Sequence, residues 1–519
     1  MSESASTPPA PIAPAEVALL TSVFAVAACG LLYELAAGAL ASYLLGDSVL
    51  QFSTIIGTYL FAMGVGSWLS KFVERQLVAT FLRVELLIGL VGGLMPAGLF
   101  IAYNVLAHSI AFRGLMYTLV LVVGVLVGLE IPLVMRILKQ HFSSRWRLRE
   151  LVAQVLTFDY LGALVVAIAF PLVLVPQLGL IRTGIVFGLL NAAVAAWALW
   201  LFRIELRRLR LHAVACGAVA ATLAAAAFGA DRMTTWAEAR LYGERIIHAA
   251  SSDYQRIIVT DGESGLRLFL NGNLQFQSRD EYRYHEALVH PAMAAHGAPK
   301  RVAVLGGGDG LAVREILKYP SVEQVTLVEL DPHITRLFAE QPTLTRLNDG
   351  ALASPKVRIV NSDAFTWLER NESMFDVIVV DFPDPTNFSL GKLYTTTFYA
   401  LLDQRLAAGG YAVVQTTSPL LARRSFWTIV TSIEAVGLTA LPYHAHVPSF
   451  GEWGFVIASR RPWRSPAALP PGLRFLTLDG VPALMQFPPD MARVAAEPNR
   501  LSNQVLVQIY EDEWGRVHR

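Results

Sequence analysis

Apolar residues run almost without interruption from residue 17 to residue 229, and then the pattern changes. The runs near 17–44, 51–70, 84–104, 113–137, 151–175, 179–202 and 211–229 each approach the roughly 20 residues a helix needs to cross a hydrocarbon core. This predicts a bundle of about seven spans; the Ala-rich last run is the least hydropathic, so six is the lower count. Small residues recur at helix-packing spacing, as in Gly57, Gly64 and Gly66, or Gly30 and Gly38, which predicts close helix crossings. Residues 1–16 read as a flexible tail, since the Ser-, Ala- and Pro-rich start lacks the basic segment of a signal peptide.

Beyond this half the periodicity turns to alternation. Residues 230–250 read as a polar, helical linker. "YQRIIVTD" and "LRLFLNGNLQF" alternate apolar and polar positions around Asn271-Gly272, a hairpin signal. "DEYRYHEALVHPAMAAHG" reads as an amphipathic helix, so 251–295 form a small hairpin-and-helix subdomain. Then "RVAVLGGGDG", "LAVREILKYP" and "VEQVTLVELD" give strand, glycine-rich turn, helix and a second strand ending in acids. That order is a βαβ nucleoside-binding unit. The expected fold is an N-terminal α-helical transmembrane bundle plus a C-terminal α/β Rossmann-like domain over 296–463. A C-terminal extension, 464–519, carries further apolar periodicity; the sequence does not choose between the domain, the membrane and a partner subunit as its contact.

Charge sharpens this division. Only 16% of the 519 residues are charged, against about 25% in ordinary soluble chains. The 42 Lys+Arg and 41 Asp+Glu nearly cancel, so no global field points to nucleic acid. Cys29 and Cys216 lie inside apolar runs, which leaves no disulfide framework and no metal-binding pair. Basic residues gather after the second, fourth and sixth runs: Lys71 and Arg75; Lys139, Arg145, Arg147 and Arg149; Arg203, Arg207, Arg208 and Arg210. The alternate loops hold only Asp47, Arg113 and Arg182. By the loop-charge rule the basic side is cytoplasmic. With seven spans the C-terminal half then lies outside, although a nucleoside donor is expected in the cytoplasm. Glu34, Glu130 and Asp159 fall within the spans, as a polar cavity or as helix-to-helix hydrogen bonds.

The C-terminal half places acids at successive strand ends: Asp309 in the glycine turn after Gly306 and Gly308, Glu329 after the second strand, Asp363 in "VRIVNSDAF", and Asp381 and Asp384 in "FDVIVVDFPDP". Ligands of open α/β sheets bind at these ends. Each acid alone could be a turn or helix-cap residue; five together predict a cleft that attracts a cation. Asp309 would repel the carboxylate of S-adenosylmethionine but suits a sulfonium donor that ends in an ammonium.

The run "LNGNLQFQSRDEYRYHEALVHP", with "LGGGDG", "LVELD", "NSDA" and "VVDFPDP", resembles the polyamine aminopropyltransferase (spermidine synthase) family over about 250–460. "LLYELAAG" and "LTFDYLGAL" resemble the multi-pass membrane extension of some bacterial members. The resemblance implies a class I methyltransferase-like domain fold. It implies S-adenosylmethioninamine (decarboxylated S-adenosylmethionine) as co-substrate, putrescine or a similar diamine as acceptor, and spermidine and 5′-methylthioadenosine as products. It implies no metal and no tightly bound cofactor, and a homodimer anchored in the cell membrane lipid. By resemblance Gln275 and Glu329 hold the nucleoside, Asp363 and Ala364 meet the adenine, and Asp309 holds the aminopropyl ammonium. Tyr284, His285 and Asp384 line the amine channel, and Asp381 is the general base. Gln415 and Trp453 are further candidates for the amine site, the tryptophan through cation–π contact or as plain core. The sequence departs from the family at Ser278, at Leu311, and in "TNFSLGKLY" after "DFPDP", which leaves acceptor identity open. A methyltransferase of an amine or lipid headgroup, and a polyamine-binding transporter or sensor, are the alternative readings.

Overall fold

The computed structural model describes residues 14–45, 48–106, 110–142, 148–252 and 254–517, which form two compact units, 1–243 and 244–519. The first is helical: α1 Pro14–Leu45, α2 Ser48–Leu69, α3 Leu77–Leu106, α4 Ile110–Phe142, α5 Leu148–Ala169, α6 Val175–Leu201 and α7 Leu209–Tyr242. Among the described residues six continuous helical stretches are long and apolar enough to cross a membrane. The fifth, Arg149–Leu201, is 53 residues long and contains both α5 and α6. At about 1.5 Å per residue it would far exceed one crossing, and its helix is broken at Gly179, where φ is 71° and ψ is 170°. Large apolar side chains face outward from the bundle, among them Phe61, Leu164, Leu172, Trp200 and Val214. That inverts the soluble pattern and suits a lipid environment.

Some of the polar groups buried inside the bundle pair across helices. Glu85 is a further acid within the bundle, beside the three expected from sequence. Glu85 and Glu130 are fully buried and Glu34 nearly so. Asn191 Nδ2 donates to Glu85 Oε2 at 3.0 Å, and Tyr33 OH donates to Asn191 Oδ1 at 3.2 Å. This bridge joins α1, α3 and α6.

Glycine seams set the closest approaches. A Cβ on Gly66 would stand 2.0 Å from Val125 O, and one on Gly128 2.1 Å from Met63 O, so α2 and α4 meet backbone to backbone. Gly30 and Gly38 also lie at contacts, against Val127 and Phe52. Gly57 and Gly64 face open space and take no part in packing, contrary to the expectation from spacing.

The linker expected over 230–250 does not exist as a separate element. α7 continues to Tyr242, and strand β1 begins at Arg245. β1 Arg245–Ser251, β2 Arg256–Gly262, β3 Gly265–Leu270 and β4 Asn273–Gln277 form an antiparallel sheet in sequential order. The hairpin is thus half of a four-stranded meander, with Asn271 and Gly272 at φ of 50° and 84°, as a tight primed turn demands. α8, Glu281–His296, follows. It is buried almost all round rather than amphipathic, with residues 284–294 all inside.

The main sheet comprises β5 Arg301–Gly306, β6 Gln324–Glu329, β7 Val357–Asn361, β8 Phe375–Asp381, β9 Leu406–Gln415, β10 Thr439–Val447 and β11 Gly451–Ser459. The order is β10-β11-β9-β8-β5-β6-β7. β5 to β9 run parallel, and β11 is antiparallel to its neighbours. Both faces are covered, so the central strands read as continuous apolar runs: Val302 and Val304 enter one core, Ala303 and Leu305 the other. The winding direction reverses between β5 and β8, which makes that pair the switch point of the sheet. Gly128→Leu should therefore force α2 from α4 and lower the melting temperature of the detergent-solubilised protein by roughly 3–10 °C. Gly57→Leu should leave it unchanged; equal effects in the two variants would refute the seam.

Candidate active site

The site grows from the register of β5 and β8, in which Gly306 pairs with Asp381. Gly306 and Gly307 have φ of 80° and 64°. A Cβ on Gly306 would lie 2.2 Å from Asp381 O, and one on Gly308 would lie 2.6 Å from Glu329 Cγ. Only glycine lets the turn pass between the two acidic strand ends. Glu329 then clasps the turn: Oε2 accepts from Gly308 N at 3.1 Å and Oε1 from Asp331 N at 2.9 Å. Asp309 Oδ1 accepts from Leu311 N at 2.9 Å.

α8 brings the aromatic and cationic members. Tyr284 OH donates to Asp381 Oδ1 at 2.6 Å, and its ring packs on His285, Phe450 and Phe455. His285 Nδ1 lies 2.8 Å from Glu281 Oε2. Glu281 receives both Arg314 amino groups at 2.9 Å. Arg314 continues to Glu315, and Glu315 to His290 and Lys318. This buried chain of alternating charge anchors α8. Glu281, Arg314 and Glu315 were not singled out in the sequence; Glu281 and His285 at i and i+4 on one helix was the available signal.

The electrostatics follow from burial and neighbours. Burial pulls the His285 pKa down, but the Glu281 carboxylate outweighs that, helped by Asp309 and Asp381, and it stands at about 9. His285 is thus a fixed cation beside two acids. Burial pushes Asp309 up to about 6 against the pull of His285, with Asp381 adding to the rise. Burial also raises Asp381, opposed by His285 and by the Tyr284 hydroxyl. Asp384 rises to about 6 by burial, held back by hydrogen bonds from Tyr510, Gln415 and Thr417. Glu329 rises to about 7 by burial despite its two backbone donors. Asp309, Glu329, Asp381 and Asp384 are each only partly covered, as a cleft open to solutes requires.

The far end centres on Asp384. Gln415 Nε2 donates to Asp384 Oδ1 at 3.3 Å and also meets Phe382 O and the Tyr394 hydroxyl. Trp453 Nε1 donates to Gln415 Oε1 at 2.9 Å, and its ring packs on Phe450. Trp453 therefore acts on the site through Gln415. Thr417 and Tyr510 hydroxyls donate to Asp384 Oδ2 at 3.2 and 2.7 Å.

Two expected residues stand apart from this cluster. Gln275 Nε2 donates to Asn273 O at 3.1 Å within its own strand. Asp363 caps the helix that begins at Ala364, accepting from Thr366 N at 2.9 Å, and its second oxygen pairs with Lys392 Nζ at 2.8 Å. Burial works to raise the Asp363 carboxyl, but Lys392 and Thr366 hold it below its ordinary value. Lys392 belongs to the divergent loop after Asp384, so Asp363 ties that loop to the β7 end. Among the described residues no cluster of His, Cys, Asp and Glu could hold a metal ion.

The Spermine/spermidine synthase domain family matches residues 281–465. The chain is 54% identical over 518 residues to polyamine aminopropyltransferase 1 of Ralstonia nicotianae, covering 98% of each chain. It is 51% identical to the polyamine aminopropyltransferase of Leptospira interrogans, over 97% of this chain and 99% of that one. A solved spermidine synthase in complex with the transition-state analogue AdoDATO is 27% identical, covers 47% of this chain and 86% of its own, and has a TM-score of 0.44. With that identity held across both units, the chain belongs to the polyamine aminopropyltransferase family.

Proposed function

We propose that this protein is a membrane-anchored enzyme that transfers the aminopropyl group of decarboxylated S-adenosylmethionine to putrescine or a similar diamine. The observation that carries the reading is the gathering of Asp309, Asp381 and Asp384 around one cleft, with Tyr284 and His285 from α8. In this reading Glu329 accepts from the ribose hydroxyls, and Asp363, Ala364 and Gln275 meet the nucleoside. Asp309 pairs with the donor ammonium, and Asp384 with Gln415 receives the amine acceptor. Asp381 takes a proton from the acceptor ammonium, helped in position by Tyr284. The freed nitrogen lone pair attacks the methylene next to sulfur, the C–S bond breaks, and its electron pair neutralises the sulfonium. The leaving thioether is 5′-methylthioadenosine, and the product is the extended amine in its protonated form. The sulfonium is already activated, so positioning and general-base catalysis suffice. The reading includes a homodimer formed through the catalytic unit and lipid contact through the helical one.

Incubation with each sulfonium donor and mass analysis of the amine tests the reaction type. An aminopropyl adduct is expected, and a methyl adduct alone would refute it. Asp381→Asn should lower kcat by at least about 10²-fold while nucleoside binding by calorimetry stays within a few-fold; near-normal turnover would exclude Asp381 as the base.

Asp309 and Asp384 lose their charge as pH falls through about 6, and a cation site loses attraction with it. Initial rates between pH 5 and 8 at saturating donor should show kcat/KM for the acceptor falling below about pH 6, toward tenfold per pH unit as Asp384 is neutralised. A flat acid limb would contradict this assignment.

Counting α5 and α6 as separate crossings gives seven, and the basic loops then put residues after 243 outside the cytoplasm. A C-terminal alkaline phosphatase fusion should be active and a fluorescent fusion dark. The reverse pattern would mean that one apolar stretch does not cross.

A further inference from the structure

The family domain ends at residue 465, yet the strongest bond to Asp384 comes from 45 residues further along the chain. The C-terminal helix Val505–Val517 is not loosely appended. Glu513 accepts from Arg424 N, Ser425 N and Ser425 Oγ at 2.8, 2.9 and 2.7 Å, capping the helix Arg423–Glu434. Leu506 and Val507 are buried. A Cβ on Gly391 would stand 2.5 Å from Val507 Cγ2, so the helix lies directly on the divergent loop after Asp384. Asn499, fully buried, donates to Gly391 O and Tyr394 O at 3.0 and 3.2 Å. The segment is clamped on both sides of the site.

From this seat two side chains one turn apart point to the same place. Tyr510 OH donates to Asp384 Oδ2 at 2.7 Å. Trp514 Nε1 reaches Thr417 Oγ1 at 3.2 Å, and Thr417 donates onward to Asp384 Oδ2 at 3.2 Å. The two rings meet at a tilt of 40°, their centroids 6.0 Å apart. A carboxylate has about four lone-pair positions. Tyr510 and Thr417 take both on Oδ2, and Gln415 takes one on Oδ1. One position is left, which fits a single ammonium N–H.

We propose that the C-terminal helix completes the acceptor site, with Tyr510 as a specificity-determining residue that closes the Asp384 end of the cleft against longer amines. The inference rests on the reading of Asp384 as the acceptor's anchor. Tyr510 orients the carboxylate so that its free position faces the cleft, and its ring occupies the space into which a longer acceptor would extend. Trp514, through Thr417, is a positioning residue for the same carboxylate.

The test is acceptor kinetics on the full-length protein in detergent or nanodiscs, with 1,3-diaminopropane, putrescine, cadaverine and spermidine as acceptors. Tyr510→Phe should raise the putrescine KM about tenfold, the size of one hydrogen bond to a charged group, with the donor KM unchanged. Tyr510→Ala should shift the ratio of kcat/KM for spermidine over putrescine upward by about tenfold or more. Thr417→Val should raise the putrescine KM in the same direction, which keeps the test open if the alanine variant folds poorly. Asp384→Asn serves as the reference and should raise acceptor KM most. If Asp384→Asn acts but the Tyr510 and Thr417 variants leave KM and the acceptor profile unchanged, the proposal is overturned and the acceptor-site reading stands. If Asp384→Asn itself leaves acceptor KM unchanged, that reading fails and the proposal falls with it.

Discussion

The crowding of acids at the β5–β8 switch point is the constraint on which the catalytic unit depends. Parallel pairing of Gly306 with Asp381 places the glycine turn against one carboxylate, and Glu329 closes on the other side. Several carboxylates in a half-buried space repel one another and resist ionisation. The protein answers with one fixed cation, His285, and with neutral donors from Tyr284, Gln415, Thr417 and Tyr510. The remaining negative character is what a doubly cationic pair of substrates would complete.

That balance explains why α8 is so heavily engaged. His285 remains charged because Glu281 holds it, and Glu281 is held by Arg314, which Glu315 holds in turn. Breaking a buried ion pair leaves an uncompensated charge and costs several kcal/mol, about 3–5, so each link secures the next. Electrostatic order in the cleft is thereby tied to the seating of a helix whose surface is almost entirely inside. The rigidity is local to the catalytic unit. The helical unit obtains its order by a different route, from glycine seams between α2 and α4 and from the Glu85–Asn191–Tyr33 bridge.

Much of this was legible in the chain. Continuous apolar runs, the Asn271-Gly272 turn, the glycine-rich turn and the acids at strand ends each carry a local physical signal, and the structure realises them. The misreadings have local causes as well. The polar composition of 230–250 suggested a linker, yet helix and strand propensities extend through it to Tyr242 and from Arg245. Gly57 and Gly64 share the spacing of Gly66 but fall on the exposed side of α2. Glu85 escaped notice because it lies at the edge of an apolar run, where an acid reads as a loop residue.

Sequence alone determined which elements form and which residue types stand at strand ends, because propensity, periodicity and turn chemistry act over a few neighbouring residues. It thereby determined the acidic character of the cleft. Tertiary structure decided how those acids are neutralised and by whom. The His285–Glu281–Arg314 chain and the docking of Tyr510 on Asp384 join residues 33 and 126 positions apart. No local pattern encodes such pairings, since a carboxylate's charge and orientation depend on what surrounds it in space. The C-terminal segment is the sharpest case. Its apolar periodicity left the domain, the membrane and a partner subunit open as its contact, and only packing against the loop after Asp384 brought its helix to the amine end of the site.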